Sequence, residues 1–254
     1  MPEAEINGIR IHYEERGNPE GEPIVFFHGA LAAHRSFAGQ FPAVAGTHRI
    51  LAWDARGHGS STHYGEEGNP WPNMDPRVME QDAIAFLEQV AGGPAHVVGV
   101  SMGGITGSRI AAYRPDLLKS LTLISAASAP DPRFVQLFGR MTPDSFSEME
   151  KRLFQRWHGE PYWRELASHF LDYFSKLRPE RYPGEAVRAY TGPVLVAIAT
   201  DDALLGPQHL VNWTTWFPQA KVHAPATGGH AFFADGRQGT KGMNEALVAF
   251  LGSL

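Results

Sequence analysis

A serine between glycines stands at the end of a valine-rich run near the middle of the chain. The stretch Gly99-Val100-Ser101-Met102-Gly103 fits the pattern G-x-S-x-G, with an apolar run over residues 95–100 before it and a helical pattern after it. Because so short a pattern also arises by chance, its context decides its meaning: it requires a strand before the serine and a helix after it. The sequence supplies both. We therefore predict a sharp strand-to-helix turn that presents the Ser101 hydroxyl as a nucleophile.

A serine hydroxyl is a weak nucleophile until a base within hydrogen-bond reach takes its proton. The chain offers twelve histidines for this role. His209 falls in a predicted helix and His223 in a weak predicted strand, whereas His230 follows two glycines beyond the last predicted strand. Since loops at the ends of rigid elements carry catalytic side chains, we predict that His230 is the general base.

The acid that orients this histidine is expected on the loop after the strand at residues 192–200, because the order along the chain is serine, acid, histidine. Asp201 and Asp202 are adjacent there. One peptide step turns neighbouring side chains to different sides, so one carboxylate would face the histidine and the other would be a solvated loop residue or a helix cap. We favour Asp202, and Asp201 stays open as the alternative.

Two backbone N–H groups are needed to hold the negatively charged oxygen of a tetrahedral intermediate. One comes from the residue after the nucleophile, which is Met102, and the other from the loop after the third strand. That loop begins Phe-Phe-His-Gly-Ala, so Ala30 is the predicted second donor.

Apolar runs alternate with helical patterns along most of the chain. Asn7-Gly8 between alternating apolar residues predicts an N-terminal hairpin. Asp75-Pro76 begins a helical pattern that Gly92-Gly93 ends, with Asp82 as a polar exception. This alternation predicts an α/β fold with a mostly parallel sheet. Strands are predicted within residues 23–29, 48–59, 95–100, 120–127, 192–201 and 220–225, and further helices after Ser101 and over 207–216 and 239–251.

The alternation is interrupted between residues 127 and 193 by far more chain than a simple crossover between parallel strands needs. Helical patterns occupy residues 144–159 and 162–179. We therefore expect a small helical lid at 130–189, inserted into a core formed by 1–129 and 190–254.

The expected lid is rich in aromatic residues, which indicates an apolar or aromatic substrate of moderate size, although most of these residues fit a lid core at helical spacing. Phe138 and Trp157 are the lid candidates for substrate binding. Trp71, in the Gly- and Pro-rich segment 62–76, either overhangs the pocket or anchors its loop. Three polar residues are candidates for holding an acidic substrate group, with solvated helix faces as the favoured interpretation: Arg133, Arg140 and His158.

The composition excludes several classes of function. The 254 residues include no cysteine, which excludes disulfides and thiolate chemistry and fits a reducing compartment. The formal net charge is −5 and the basic residues are scattered, so neither nucleic acid nor a membrane surface is an expected partner.

The N-terminal residues do not resemble a signal peptide, and no apolar run reaches the length of a membrane span, so we expect a cytoplasmic protein. The histidines lack paired ligand spacing, so no metal is expected. The expected partner is a small-molecule substrate, with monomer and homodimer both open.

Four blocks of sequence together resemble the α/β-hydrolase superfamily, in its compact, lidded, esterase-like bacterial branch. They are HGA at 28–30, DARGHGSS at 54–61, GVSMGG at 99–104 and GGH at 228–230. The resemblance implies an eight-stranded, mostly parallel sheet flanked by helices, a triad of Ser101, Asp202 and His230, and a hydrolase that needs no cofactor. It makes the second block a mainly structural turn. Ala199 departs from the glycine that the family often has three residues before the acid.

Because one fold hosts many reactions, the reaction has to be inferred from the site. The prediction is a carboxylesterase-like serine hydrolase that cleaves an ester of a moderately sized apolar or aromatic substrate through an acyl-enzyme. Hydrolysis of a lactone, or of a carbon–carbon bond in a diketone, uses the same triad and is the alternative among enzymes. A small-molecule receptor with residual hydrolysis is the alternative from another class.

Overall fold

The computed structural model describes residues 1–70 and 75–254, and its centre is one eight-stranded sheet. The strands are β1 (Glu3–Ile6), β2 (Ile9–Gly17), β3 (Glu22–Phe27), β4 (His48–Trp53), β5 (Ala95–Val100), β6 (Leu118–Ile124), β7 (Val194–Ala197) and β8 (Lys221–His223). They lie in the order β1-β2-β4-β3-β5-β6-β7-β8. The pairs β1/β2 and β2/β4 are antiparallel and the other five pairs are parallel. The predicted hairpin and the mostly parallel sheet are therefore confirmed.

The central strands are apolar on both faces because the sheet is covered on both sides. All six residues of β5 are buried. Side chains alternate between the two faces of a strand, so Ile24 and Val98 join one apolar cluster whereas their neighbours Val25 and Val97 join the other. Parallel strands also bring their carboxyl ends to a single edge of the sheet, and Ser101 immediately follows β5 at that edge.

Helices flank both faces of the sheet. The α-helices are α1 (Phe41–Val44), α2 (Pro76–Phe86), α3 (Met102–Tyr113), α4 (Pro132–Phe138), α5 (Glu148–His158), α6 (Tyr162–Phe174), α7 (Pro207–Trp216) and α8 (Gln238–Leu251). Residues of α1 and α8 pack in the cluster with Ile24 and Val98, and residues of α2 and α3 pack in the opposite one. As its sequence predicts, α2 has Asp75 as its N-cap, and the Asp75 side chain accepts a hydrogen bond from the Arg77 N–H. In the described part of the chain, no helix is long and apolar enough to cross a lipid bilayer.

The segment between β6 and β7 is helical. It contains α5 and α6, where helical patterns occur in the sequence, and also α4, which those patterns did not indicate. We call residues 130–189 the helical insertion. Its buried aromatic side chains, such as Trp163 and Phe170, belong to the same apolar cluster as those of α2 and α3. The insertion therefore packs on the side of the sheet that carries α2 and α3.

Asp82, the polar exception on α2, has partners from distant parts of the chain. Its carboxylate accepts hydrogen bonds from Arg56 Nε at 2.7 Å, from Arg56 Nη2 at 2.9 Å and from Asn7 Nδ2 at 2.9 Å. Arg56 and Asp82 are only 4% and 0% exposed. This buried ion pair connects α2 to the loop after β4 and to the turn between β1 and β2.

Replacing Asp82 by alanine would leave the Arg56 guanidinium buried without its carboxylate. We expect Asp82→Ala to lower the free energy of unfolding by about 3–5 kcal/mol, measured by urea denaturation. The matched control is Asp172→Ala, which removes an exposed pair with Lys176 at 2.7 Å and should cost less than about 1 kcal/mol. Equal losses in the two variants would contradict this account.

Candidate active site

Ser101 occupies a strained backbone position between β5 and α3. Its φ is 49° and its ψ is −111°, a conformation that a residue with a side chain adopts only under constraint. The surrounding glycines allow this turn to pack closely. A methyl group on Gly103 would lie 2.0 Å from the Phe27 carbonyl oxygen, and one on Gly99 would lie 2.3 Å from the Gly103 carbonyl oxygen. The predicted strand-to-helix turn is present. Only glycine fits at positions 99 and 103, two residues before and two residues after the serine.

The structure brings His230 and Asp202 together. His230 Nδ1 lies 2.8 Å from Asp202 Oδ2, with Nδ1–H as the donor because a carboxylate only accepts. The other oxygen, Asp202 Oδ1, accepts from the backbone N–H of Leu204 at 2.9 Å and of Leu205 at 3.1 Å. The Asp202 side chain is fully buried, whereas the His230 side chain is 26% exposed. This arrangement fixes the imidazole and leaves its Nε2 as the proton acceptor.

The neighbouring carboxylate of Asp201 faces elsewhere. Its two oxygens accept from the backbone N–H groups of Gly228 at 3.1 Å and Gly229 at 2.8 Å. Asp201 therefore holds the loop that carries His230, whereas Asp202 bonds to the imidazole itself. As expected for adjacent residues, the two carboxylates point to different partners.

Ser101 and His230 are each hydrogen-bonded to one of two successive residues at the end of β6, Ile124 and Ser125. The Ser101 N–H donates to the Ile124 carbonyl at 2.9 Å, and the Ser125 hydroxyl donates to the His230 carbonyl at 2.8 Å. Within residues 1–70 and 75–254, no hydrogen bond joins the Ser101 hydroxyl to the imidazole. Catalytic hydrogen bonds are often long or poorly aligned before substrate binds and shorten only in the substrate complex.

The loop after β3 carries the predicted oxyanion donor Ala30 in a tight turn. The Ala32 N–H donates to the Gly29 carbonyl at 3.2 Å, and Leu31 has a φ of 58°. The second predicted donor, Met102, is the first residue of α3, where a backbone N–H has no acceptor within its own helix.

Two buried histidines hold the peptide groups of Leu31. The Leu31 N–H donates to His58 Nε2 at 3.3 Å, and the Leu31 carbonyl lies 2.9 Å from His158 Nε2. His158 belongs to α5, and its Nδ1 accepts from the Gly59 N–H at 2.9 Å. Its Nε2 must therefore carry the proton that bonds to Leu31. His158 thus fastens the helical insertion to the loop that carries Ala30, and it does not lie on the solvated helix face that its sequence favours.

Burial keeps these histidines neutral. It lowers the pKa of His158 to about 4 and holds the pKa of His58 well below its ordinary value. A neutral ring can both donate and accept, which His158 needs in order to bridge Leu31 and Gly59.

A narrow cavity lies beside the nucleophile turn, between α3 and the end of α6. Its volume is about 10 Å³, which is room for a water-sized group. The sequence did not indicate most of its lining, because these residues come from four separate parts of the chain. They are Pro76, Met79, Met102, Ile105, Thr106, Tyr173, Phe174 and Arg181.

The residues predicted to bind substrate lie in different surroundings. Phe138 is buried in the aromatic cluster of the insertion, 5.2 Å from Phe170 between ring centroids. Trp157 is partly buried and lines a surface groove with Arg35 and Arg156. Trp71 lies outside the described residues.

One group of potential metal ligands occurs in the described part of the chain. His12, His34 and Asp54 are buried, and their ligand atoms lie within 4.8 Å of one another. However, Asp54 Oδ1 already accepts from His34 N and Nδ1, both at 2.8 Å, while Oδ2 accepts from His12 Nδ1 at 3.1 Å and from Ser60 N at 3.0 Å. Hydrogen bonds therefore satisfy this carboxylate without an ion, and the group stabilises the turn after β4.

Comparisons with known proteins identify the class to which the fold and this site belong. Residues 22–180 match a family described as the alpha/beta hydrolase fold. The chain therefore belongs to this family and is an enzyme of the α/β-hydrolase class, as its four sequence blocks suggested.

Relatives and solved structures agree with this assignment. The chain is 26% identical to the dihydrolipoyllysine-residue acetyltransferase component of an acetoin-cleaving system of Pseudomonas putida, over 98% of this chain and 68% of that protein. It is also 26% identical to the mouse sn-1-specific diacylglycerol lipase ABHD11, over 90% of this chain and 80% of that protein. The enol-lactonase of Burkholderia xenovorans has the same fold, with a TM-score of 0.77, 19% identity and coverage of 99% of this chain and 100% of that one.

The lowered pKa of His158 predicts a specific pH dependence of stability. Between pH 6.5 and 4, His158 is protonated in the unfolded chain but stays neutral in the folded protein. The free energy of unfolding therefore falls as the pH falls through this range. The free energy of unfolding should drop by up to about 3 kcal/mol from this residue alone. Urea denaturation of wild type at pH 7 and pH 4.5 measures this change.

His158→Gln isolates the contribution of this histidine, because glutamine can donate and accept but cannot be protonated in this range. The acid-dependent loss of stability should shrink in this variant, while its offset from wild type between pH 7 and 8 should stay constant. The same loss in both proteins would show that His158 does not titrate as described.

Proposed function

We propose that the protein is a serine hydrolase that cleaves an ester of a moderately sized apolar or aromatic substrate through an acyl-enzyme. The observation that carries this proposal is the 2.8 Å contact between His230 Nδ1 and the buried Asp202 carboxylate, on loops beside the strained Ser101 turn. An aspartate that holds the imidazole by Nδ1 leaves Nε2 to act on a serine. Ser101, His230 and Asp202 are accordingly the proposed nucleophile, base and orienting acid.

In the proposed cycle, the Ser101 oxygen attacks the ester carbonyl carbon while His230 Nε2 takes the hydroxyl proton. The N–H groups of Ala30 and Met102 hold the resulting oxyanion. As the intermediate collapses, His230 returns the proton to the leaving alcohol and the acyl group stays on Ser101. Water then attacks the acyl-enzyme with His230 as base, which releases the acid and restores the serine. Asp202 stabilises the imidazolium in both halves.

The helical insertion is the proposed lid over this site. It supports the site physically, because His158 on α5 bonds to Leu31 next to Ala30. Its aromatic cluster, which includes Phe138 and Phe174, provides an apolar wall for the acyl or alcohol group of the substrate. Among the described residues, Trp157 is the other proposed substrate contact.

The names of two relatives support acyl chemistry. One is named as an acetyltransferase component and the other as a diacylglycerol lipase, and both names refer to reactions of acyl groups. The same triad serves a lactone or the carbon–carbon bond of a diketone, so these substrates form the second candidate function. A small-molecule receptor with residual hydrolysis is the candidate from another class.

A substrate panel tests the proposal directly. Wild type should hydrolyse p-nitrophenyl esters, and Ser101→Ala should lower kcat on the order of 10⁵-fold, because it removes the nucleophile. Lactones and diketones in the same panel identify the second candidate function. Ester turnover that survives in Ser101→Ala would overturn the proposed nucleophile. A ligand-induced rise in melting temperature without turnover of any panel member would favour the receptor.

The two neighbouring aspartates provide a matched pair of variants. Asp202→Asn should lower kcat about 10⁴-fold, because the amide favours the wrong imidazole tautomer. Asp201→Asn keeps an oxygen acceptor for the loop glycines and should cost roughly tenfold or less. Initial rates on one ester, with circular dichroism as the folding control, distinguish the two. A larger loss in Asp201→Asn would reverse the assignment of the acid.

A further inference from the structure

Arg181 is a buried cation without a carboxylate partner. Three arginines of the described chain are almost fully buried, with exposures of 4% for Arg56, 6% for Arg109 and 3% for Arg181. Arg56 is paired with Asp82 at 2.7 Å and Arg109 with Glu80 at 2.5 Å. No carboxylate in the described residues lies within 4.0 Å of Arg181. The undescribed residues 71–74 contain no Asp or Glu, so they cannot supply one.

Acidic residues around Arg181 are paired with other cations. Asp131 lines a second small cavity with Arg181, but its carboxylate lies 2.6 Å from Arg133 Nη2 and 3.3 Å from His209 Nε2. Asp75, near Tyr173, is held by Arg77 at 2.5 Å. The charge of Arg181 is therefore not neutralised by its surroundings.

The existing contacts of Arg181 position the guanidinium, but they leave its Nε donor without an acceptor and its charge without a counter-charge. The guanidinium stacks on Tyr173 and Phe174, at 4.4 and 4.0 Å from the ring centroids, and Nη2 donates to the Tyr173 carbonyl at 3.0 Å. Its Nε is buried and has no hydrogen-bond partner. A guanidinium carries five N–H donors, and burying a charge without a counter-charge is costly. The phenols of Tyr173 and Tyr182 are also close, and because burial raises the pKa of both, they stay neutral.

A separate ion pair fixes the backbone beside Arg181. Arg109, which is bonded to Glu80, also donates from Nη1 to the Glu180 carbonyl at 3.2 Å. This ties the short helical turn Pro179–Arg181 to α3, the helix that begins at Met102. The guanidinium is thus held at a set position relative to the proposed oxyanion donor.

Arg181 also borders the cavity next to the proposed catalytic site. Met102, Ile105 and Thr106 line one side of this cavity, and Tyr173, Phe174 and Arg181 line the other. Phe174 and Arg181 in turn separate it from the second cavity, whose lining includes Lys176 and Arg178. Both of these cations are paired, Lys176 with Asp172 at 2.7 Å and Arg178 with Glu180 at 3.6 Å, so Arg181 is the cation of these two linings that has no carboxylate partner among the described residues. Because each cavity is only about 10 Å³, a ligand larger than water requires the insertion to move outward.

We propose that Arg181 binds an anionic group of the substrate, so that the preferred substrate is an acyl compound that also carries a carboxylate. A guanidinium can hold a carboxylate through two parallel N–H···O bonds, one of which would give the unpaired Nε–H of Arg181 an acceptor. Arg181, rather than Arg133, Arg140 or His158, is then the residue that recognises the acidic group. This inference rests on the proposed function, because it assigns the substrate class of that site.

The test compares esters that differ only in a terminal carboxylate. The acyl series pairs the p-nitrophenyl half-esters of glutaric, adipic and pimelic acids with p-nitrophenyl pentanoate, hexanoate and heptanoate. The alcohol series pairs 4-carboxyphenyl butyrate with phenyl butyrate. The readout is the ratio of kcat/KM for the carboxylate ester to that for its neutral counterpart. In wild type, this ratio should exceed one in at least one series.

Variants of Arg181 connect that preference to the guanidinium. Arg181→Met should lower the ratio about 10- to 100-fold, as expected for losing a charged hydrogen-bond partner. Arg181→Lys keeps a charge without the planar pair of donors, so its ratio should lie between those of wild type and Arg181→Met. If Arg181→Met folds poorly, the ratio of Arg181→Lys is the one that tests the proposal. Arg188→Met, which removes an exposed arginine of the same insertion, is the control and should keep the wild-type ratio.

The outcomes separate this inference from the proposed function. If neutral esters are turned over by Ser101 but no carboxylate ester is preferred, or the ratio does not change in the Arg181 variants, the inference is wrong and the proposed function stands. If wild type hydrolyses no ester, the proposed function fails. The binding of glutarate, a dicarboxylate, then tests the role of Arg181. Glutarate should then raise the melting temperature of wild type but not of Arg181→Met, and equal shifts would overturn the role of Arg181.

Discussion

The close packing of the Ser101 turn is the constraint on which the rest of the site depends. A φ of 49° at Ser101 is held because α3 lies against the end of β3, where a methyl group on Gly103 would be 2.0 Å from the Phe27 carbonyl oxygen. Such strain persists only where the surrounding structure enforces it. The same contact brings the start of α3, with Met102, beside the loop after β3, with Ala30. The proposed nucleophile and the proposed oxyanion donors therefore lie on segments that pack directly against each other.

Buried histidines serve as hydrogen-bond connectors in this protein. His158 and His58 hold both sides of Leu31, and His12 and His34 bond to one carboxylate, Asp54. Burial lowers the pKa of His158 and His58, which keeps their rings able to donate and accept at once. Through His158, the position of the helical insertion is coupled to the loop that would stabilise the oxyanion.

The buried charges divide into balanced and unbalanced groups. Arg56 with Asp82, and Arg109 with Glu80, are complete pairs that connect elements of the fold. Arg181 has the burial of these two arginines without a counter-charge, at a cavity wall rather than between packed elements. An unpaired charge in a protein interior is costly. A ligand that supplies the missing negative charge would offset the cost of burying Arg181.

The sequence by itself determined the sheet, the strand-to-helix turn at Ser101 and the place of His230 after the last strand, because these follow from local patterns of apolar residues and glycine. The structure puts His230 in the short 3-10 helix Gly229–Ala234 rather than on a loop. Only the tertiary structure decided between Asp201 and Asp202, since adjacent residues have the same local signal and differ in which distant groups they meet. It also decided that His158 is a buried connector and that Arg181 has no carboxylate partner among the described residues. The partners that balance a buried charge lie far away in the sequence, so a local pattern of residues does not predict them.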